Sequence, residues 1–444
     1  MSDETRATDR PATFRDVFAS REYRFLYGAT VLSWFGDYLA KAAITALVLV
    51  HTGSVVLSAL AFAISYLPWL FGGPVLAAIA ERKPFRLVMV TCDVLRAALM
   101  LLVALPGMPV PMMLVLLFAA SLANPPSEAA RSAVYPQILT GDRYVVGLAV
   151  RTSSGQAAQL VGYMAGAVIA TSNPRFALAL NAVTFAASAL MIRVGMKDRR
   201  PVGDPGPRQH LARETADGFR MVFGTRVLRV IAVVVFSSTL FAIVPEGLAA
   251  AWAADLARSE SERGWFQGMI MVASPAGFIL GGLIVSRFVR PALRARLIPV
   301  FMVVAPLALV PAFLDPSAIV IMAMAMVCGF AIAGLLPPAN GLFVQSLPAG
   351  YRARAYGVMQ GGMQVTQGAA VLATGALASQ FDIATVVGAW SLAGVLVLLI
   401  VAIRWPSPTA FERAAAAAHA ANGDGPPKIP APGRHRAGPV QAPV

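Results

Sequence analysis

Uncharged, mostly apolar stretches about as long as a bilayer is thick recur from one end of the chain to the other, and nothing else in the sequence constrains the fold as strongly. A helix rising 1.5 Å per residue needs about 20 apolar residues to cross the roughly 30 Å hydrocarbon core, and it satisfies its own backbone on the way. On that measure the sequence predicts twelve helices, near 25–50, 55–80, 87–105, 110–126, 144–170 and 175–195, then 227–252, 263–287, 296–314, 317–338, 352–378 and 384–404. Only 13% of residues are charged and 57% are hydrophobic. Soluble domains carry about a quarter charged residues, so lipid is the expected solvent and the expected fold is an all-α membrane protein.

The distribution of positive charge sets the expected orientation. Of 36 Lys and Arg residues, 31 fall in the termini and alternate loops on one side and three on the other, with Lys41 and Arg96 inside spans. Positive loops stay in the cytoplasm, so both termini are expected there, with the chain in a bacterial inner membrane. The net charge of +14 then reports topology rather than nucleic-acid binding, since no basic face with interleaved aromatics accompanies it. Residues 1–24 hold five arginines and no apolar core; they are read as a cytoplasmic segment rather than a cleavable signal. Residues 196–226, with the run Asp198 to Pro207, read as a cytoplasmic linker ending in a short amphipathic helix. The Ala-, Gly- and Pro-rich residues 405–444 read as a disordered cytoplasmic tail.

Landmarks repeat between the halves. Gly72, Ala77 and Arg82 match Gly277, Gly282 and Arg287 at an offset of 205; Pro125-Pro126 match Pro337-Pro338 at 212; Gln156 and Gln159 match Gln364 and Gln367 at 208. Agreement in order and offset points to a duplication, with bundles at 25–195 and 227–404 and a substrate cavity between them near mid-membrane.

Particular residues sharpen this. Gly36-Asp37, Gly73-Pro74, Glu81-Arg82 with Arg86, Asp93-Val-Leu-Arg96, Asn124-Pro125, Ala130-Arg131 and the run Tyr351 to Gly357 give the chain its likeness. It resembles the major facilitator superfamily, and more narrowly the bacterial drug and siderophore exporters called transmembrane secretion effectors. The resemblance implies two pseudo-symmetric six-helix bundles and a cytoplasmic gate on Glu81, Arg82, Arg86, Asp93, Arg96 and Arg131, with Glu128 nearby. Latch and substrate contact are both open to that group. The chain departs from the superfamily's Gly-x-x-x-Asp-Arg-x-Gly-Arg loop, reading Ala77 to Arg86 without its glycines, and from the antiporter Gly-Pro-x-x-Gly-Gly signature, reading Gly162-Tyr163 where the proline belongs.

Ionisable residues inside spans cost on the order of 2.5–3.5 kcal/mol each unless they meet a partner or a cavity. Asp37, Lys41 and Glu246 lie deepest and are candidates for proton coupling or an outer gate. Lys41 and Glu246 are related by the same offset of 205, which would pair them across the halves. Asp37, one turn before Lys41, would instead hold the lysine locally. Gln360, Gln364 and Gln367 share one helix face, as do Gln156 and Gln159; they either hydrogen-bond neighbouring helices or line a wet path. Trp34, Tyr38, Phe185, Met359 and Met363 complete a candidate amphipathic cavity.

The expected function is secondary, proton-coupled export of amphipathic small molecules by alternating access, with protons, cargo and lipid as partners and a monomeric state. An importer or facilitator, or a non-transporting sensor, is the alternative. No nucleophile, zinc spacing or phosphate-binding loop stands out, so neither an enzyme nor a cofactor is expected. The spacings Gly162-x-x-x-Gly166, Gly264-x-x-x-Gly268 and Gly277-x-x-x-Gly281 read as helix packing.

Overall fold

The computed structural model describes residues 13–69, 83–199, 211–348 and 351–421. The helices start and stop where the sequence supplies caps. Thr13 and Asp16 form a capping box on α1 (Phe14–Phe18). Ser20 accepts from the Tyr23 amide to open α2 (Arg21–Thr52), which ends on Gly53 at φ 62°, a left-handed conformation suited to glycine. Ser54 caps α3 (Val55–Ala63). The first half continues through α4 (Phe85–Val103), α5 (Val110–Ser121), α6 (Asn124–Ile138), α7 (Asp142–Ser172) and α8 (Pro174–Gly195). The connection holds α9 (Leu211–Gly224). In the second half stand α10 (Arg226–Ala242), α11 (Val244–Leu256), α12 (Glu260–Phe288), α13 (Pro291–Leu307), α14 (Ala318–Gln345), α15 (Arg352–Leu377) and α16 (Ile383–Ile403).

Three expectations need correction. The stretch expected as one span at 110–126 is two helices, because Pro125 and Pro126 open α6 at positions whose amides need no partner, and it runs on to Ile138. The stretch expected as one span at 227–252 is likewise two helices, α10 and α11, whereas Pro337-Pro338 lie inside the unbroken α14, as expected. The tail is not irregular throughout: α17 (Pro408–Ala421) is helical, and its buried Phe411 packs on Trp405 at 5.4 Å between ring centroids. Glu81 and Arg82, residues 1–12, residues 200–210 of the linker and the tail from 422 lie outside the described residues.

Among the described residues, eight helical stretches are long and apolar enough to cross a membrane. Of the other four expected spans, one is cut off after Trp69 by the limit of the described residues. The remaining three, α4, α7 and α15, each carry charges or glutamines in pairs: Asp93 and Arg96, Arg151 and Gln159, Gln360 and Gln364. Their polarity is tolerable because it faces protein or a cleft rather than lipid. Elsewhere the outer faces are apolar, as at Val183, Leu190 and Val194 on α8 and Leu283 and Phe288 on α12, all exposed. Continuous apolar surface of this kind marks contact with a membrane.

Within each half, small residues let backbones meet. A Cβ on Gly162 of α7 would sit 2.8 Å from the Phe35 carbonyl of α2, and one on Gly281 of α12 would sit 2.7 Å from the Phe330 carbonyl of α14. Between the halves, α12 packs on α7, α15 on α3, and α11 on both α2 and α3. Glycines along α15 gauge the separation from the helix-2 stretch that includes α3. A Cβ at Gly375 would collide with Ala59, one at Gly368 would lie 3.1 Å from Tyr66 Cβ, one at Gly361 would lie 4.0 Å from the Trp69 carbonyl, and one at Gly357 meets no described residue within 4 Å. On α12, Gly264 and Gly268 are closed against Thr171 and Met164 of α7, whereas Gly282 is open. Among the described residues the halves are therefore in contact at the end far from the termini, and those contacts thin out toward the end that bears them.

Candidate functional site

Where the two halves meet, polar groups cross the seam. The Glu246 carboxylate, on the first turn of α11, is buried and is held from the opposite half: the Tyr163 hydroxyl donates at 3.1 Å and Gln159 Nε2 at 3.5 Å. The Ser274 hydroxyl of α12 lies beside it. On α2, Lys41 donates to the Tyr66 hydroxyl at 3.4 Å, and its ammonium rests over the rings of Phe62 at 4.7 Å and Tyr66 at 4.4 Å. The two carboxylates whose fields reach it are Glu246 and Asp37, yet neither forms an ion pair with it among the described residues. Tyr38 packs edge-on to Tyr163 at 5.1 Å and closes this aromatic and polar layer. A second bond set crosses nearby: buried Gln267 of α12 donates to the Ala42 carbonyl at 2.9 Å and to Thr45 Oγ1 at 3.2 Å on α2.

Below the seam, toward the termini, the interior of the first half holds three ion pairs among the described residues, beside the Glu22–Arg199 pair at its terminus-bearing end. Asp37 bonds Arg96 of α4, whose guanidinium stacks on Phe185 of α8 at 3.9 Å. Asp93 accepts from Arg131 of α6 at 3.0 Å and from the Ser188 hydroxyl at 2.6 Å, all three buried. Glu128 bonds Arg151 of α7, and Arg151 lies 5.2 Å from the Trp34 and Tyr135 rings. Arg86 donates to the Met196 carbonyl at 3.3 Å within the same half. Of the six residues expected to form a cytoplasmic gate, the four described ones thus bond partners in their own half: Arg86 at its terminus-bearing end, Asp93, Arg96 and Arg131 in its interior.

The cavity candidates divide. Trp34 packs on Gly155 under Arg151, and Gln159 reaches Glu246. Gln156 is half-buried, Gln360 exposed, and Gln364 and Gln367 half-buried; none of these four makes a hydrogen bond to protein among the described residues. Gln364 lies between Gly361 and Gly368, on the face of α15 that turns toward α3. Met359 and Met363 pack into an apolar cluster with Ile231, Val235 and Phe343, away from the seam. The sequence reading passed over Tyr163, Tyr66 and Gln267. The signal for Gln267 was present, an amide set between the close-packing glycines 264 and 268, but such a glutamine has no sequence-local partner to betray it.

Comparison with known proteins agrees with this architecture. A family model described as Major Facilitator Superfamily matches residues 26–313. Among solved structures, the chain is similar to a POT family transporter in complex with 5-aminolevulinic acid, at TM-score 0.69 and 12% identity over 91% of this chain and 99% of that one. It is also similar to a D-xylose-proton symporter, at 0.67 and 15% over 85% and 96%. The nucleoside transporter NupG aligns at 0.66 and 14%, over 86% and 100%. No curated protein matches the chain. At such identities the structures speak to the fold, and the family match speaks to descent: this chain belongs to the major facilitator superfamily, as a multi-pass membrane transporter and not an enzyme.

Proposed function

We propose that the chain is a proton-coupled exporter of amphipathic small molecules, such as drugs, secondary metabolites or siderophores, working by alternating access in a bacterial inner membrane with its termini in the cytoplasm. The observation that carries proton coupling is Glu246, a buried carboxylate bonded by neutral donors from the opposite half. Tyr163 and Gln159 reach it only while the seam is shut, whereas Ser274 belongs to its own half. When the seam opens to the far side, Glu246 loses Tyr163 and Gln159, and a proton from that side can take their place. When the seam closes, the donors and the field of Lys41 return, and the proton leaves through the terminus-bearing end. Each cycle then moves one proton inward as cargo moves outward. The resemblance to secretion effectors supports the direction; the structural neighbours include a D-xylose-proton symporter, so uptake is the reading to test against.

The test is accumulation of a fluorescent amphiphile in cells producing the full chain, with and without an uncoupler. Exclusion that collapses on uncoupling is expected, and Glu246→Gln is expected to abolish the uncoupler-sensitive part. Energy-dependent uptake would reverse the direction, and full uncoupler-sensitive exclusion by Glu246→Gln would remove Glu246 from the coupling step.

A further inference from the structure

The three interior ion pairs of the first half are not built alike. Asp93 is closed: both oxygens accept, from Arg131 at 3.0 and 3.3 Å and from Ser188 at 2.6 Å, and its side chain is 0% exposed. Asp37 and Glu128 each spend one oxygen on their arginine, and the other oxygen has no partner among the described residues. Their side chains are each 34% exposed, while the paired Arg96 and Arg151 are 5% and 16% exposed. In both pairs the carboxylate stands in front and the guanidinium behind it.

Both carboxylates lie beneath the seam and keep a third of their side-chain surface open. Asp37 is one turn from Lys41 on α2 and one turn from Trp34. Glu128 is held by Arg151, which precedes Gln159 by eight residues, about 12 Å at 1.5 Å per residue, on the same face of α7. Gln159 meets Glu246 across the seam, so that face points at the opposite half. Trp34 links the two sites, lying under Arg151 and one turn from Asp37. Among the described residues, none of the second half bonds either carboxylate.

From this we propose that the cargo is an organic cation on an aromatic or aliphatic body, its charge received by the free oxygens of Asp37 and Glu128 and its body by Trp34. This rests on the reading of the chain as a carrier of amphipathic molecules, and names their charge. A cation at contact distance from a free oxygen is several ångströms further from the arginine behind it, so attraction exceeds repulsion. An anion in the same place meets the carboxylate first. Release from water strengthens the preference, and an indole face adds cation–π attraction.

Two probes of nearly equal size and opposite charge separate the possibilities: tetraphenylphosphonium and tetraphenylborate, titrated calorimetrically onto the purified full chain in detergent. Tetraphenylphosphonium is expected to bind at least tenfold tighter than tetraphenylborate. Asp37→Asn and Glu128→Gln are each expected to weaken it at least tenfold while leaving any tetraphenylborate binding unchanged or stronger. Because Asp37→Asn strands the buried Arg96 and can fail to fold, Glu128→Gln, whose Arg151 is less buried, carries the test alone if needed. Equal binding of the two ions, preference for the anion, no binding of the cation, or an unaffected Glu128→Gln with unchanged thermal midpoint would overturn the proposal. Neither ion carries a titrating proton. Cation binding without uncoupler-sensitive exclusion in cells would therefore sink the export reading and leave this one standing, and exclusion of neutral amphiphiles without cation binding would do the reverse.

Discussion

At the scale of single residues, the buried charges differ in what they tie together. Asp93 has every lone pair of consequence engaged and Arg131 is equally buried, so removing one partner leaves an uncompensated charge. Asp93→Ala is expected to lower stability by about 3–5 kcal/mol, as is typical of broken buried pairs, read as a fall in the thermal unfolding midpoint of purified protein. Gln267 ties the halves instead of the interior of one. Gln267→Leu removes two hydrogen bonds across the seam, on the order of 1–3 kcal/mol, and inside its own half only the weak contact to Met271 Sδ at 3.7 Å. The expected result is a several-fold faster alkylation of a cysteine placed at Thr171, in a chain whose Cys92 and Cys328 have been replaced, with an unchanged unfolding midpoint. Which residues carry charge at membrane depth was legible in the sequence, because each violates hydropathy. Their partners were not. Asp37 had an obvious neighbour in Lys41 four residues on, and Lys41 had a symmetric one in Glu246. The structure gives Asp37 to Arg96, 59 positions away, and gives Lys41 to the faces of Phe62 and Tyr66. A lysine needs no carboxylate when aromatic quadrupoles and a nearby field stabilise it.

At the scale of helices, the spacing of α15 from the helix-2 stretch can be measured. Cysteine pairs at Ala59 with Gly375 and at Tyr66 with Gly368 are expected to cross-link rapidly in the closed-seam state, and a pair at Trp69 with Gly357 slowly. Agents that open the far end should reverse that order. Equal rates at all three would contradict the thinning of contacts toward the termini. Most span positions were legible, since a run of twenty apolar residues leaves a chain few options, but the break in the fourth span was not. Its apolar stretch ends at Ala123 and the following residues are polar, so hydropathy sees an ending where the backbone makes a second helix. Pro125 and Pro126 mark a helix start as readily as a stop, and only the neighbours decide. The glutamine face of α15 was legible as a face. That its members find no partner in protein was not, because the width of the cleft is a property of two helices and not of one.

At the scale of the whole molecule, a reporter fused after Val444 is expected to be active only in its cytoplasmic form, given the 31 to three division of basic residues; a reporter active only in the periplasm would invert the proposed orientation. The duplication was legible, yet the halves are unequal in a way that repeats do not advertise. Among the described residues, all three deep ion pairs lie in the first half, and Glu246 is the buried charge of the second. This inequality bears on how such a chain can evolve. Substitutions on the first half's wall break charge pairs, at several kcal/mol each, whereas volume-conserving swaps on the second half's apolar wall cost less than about 1.5 kcal/mol. A mutational scan for altered cargo range should find its gains concentrated around Gln360, Gln364 and Gln367, with the charged wall held constant. One jaw then serves as the inherited constant of the machine, and the other as the part that selection can file to fit.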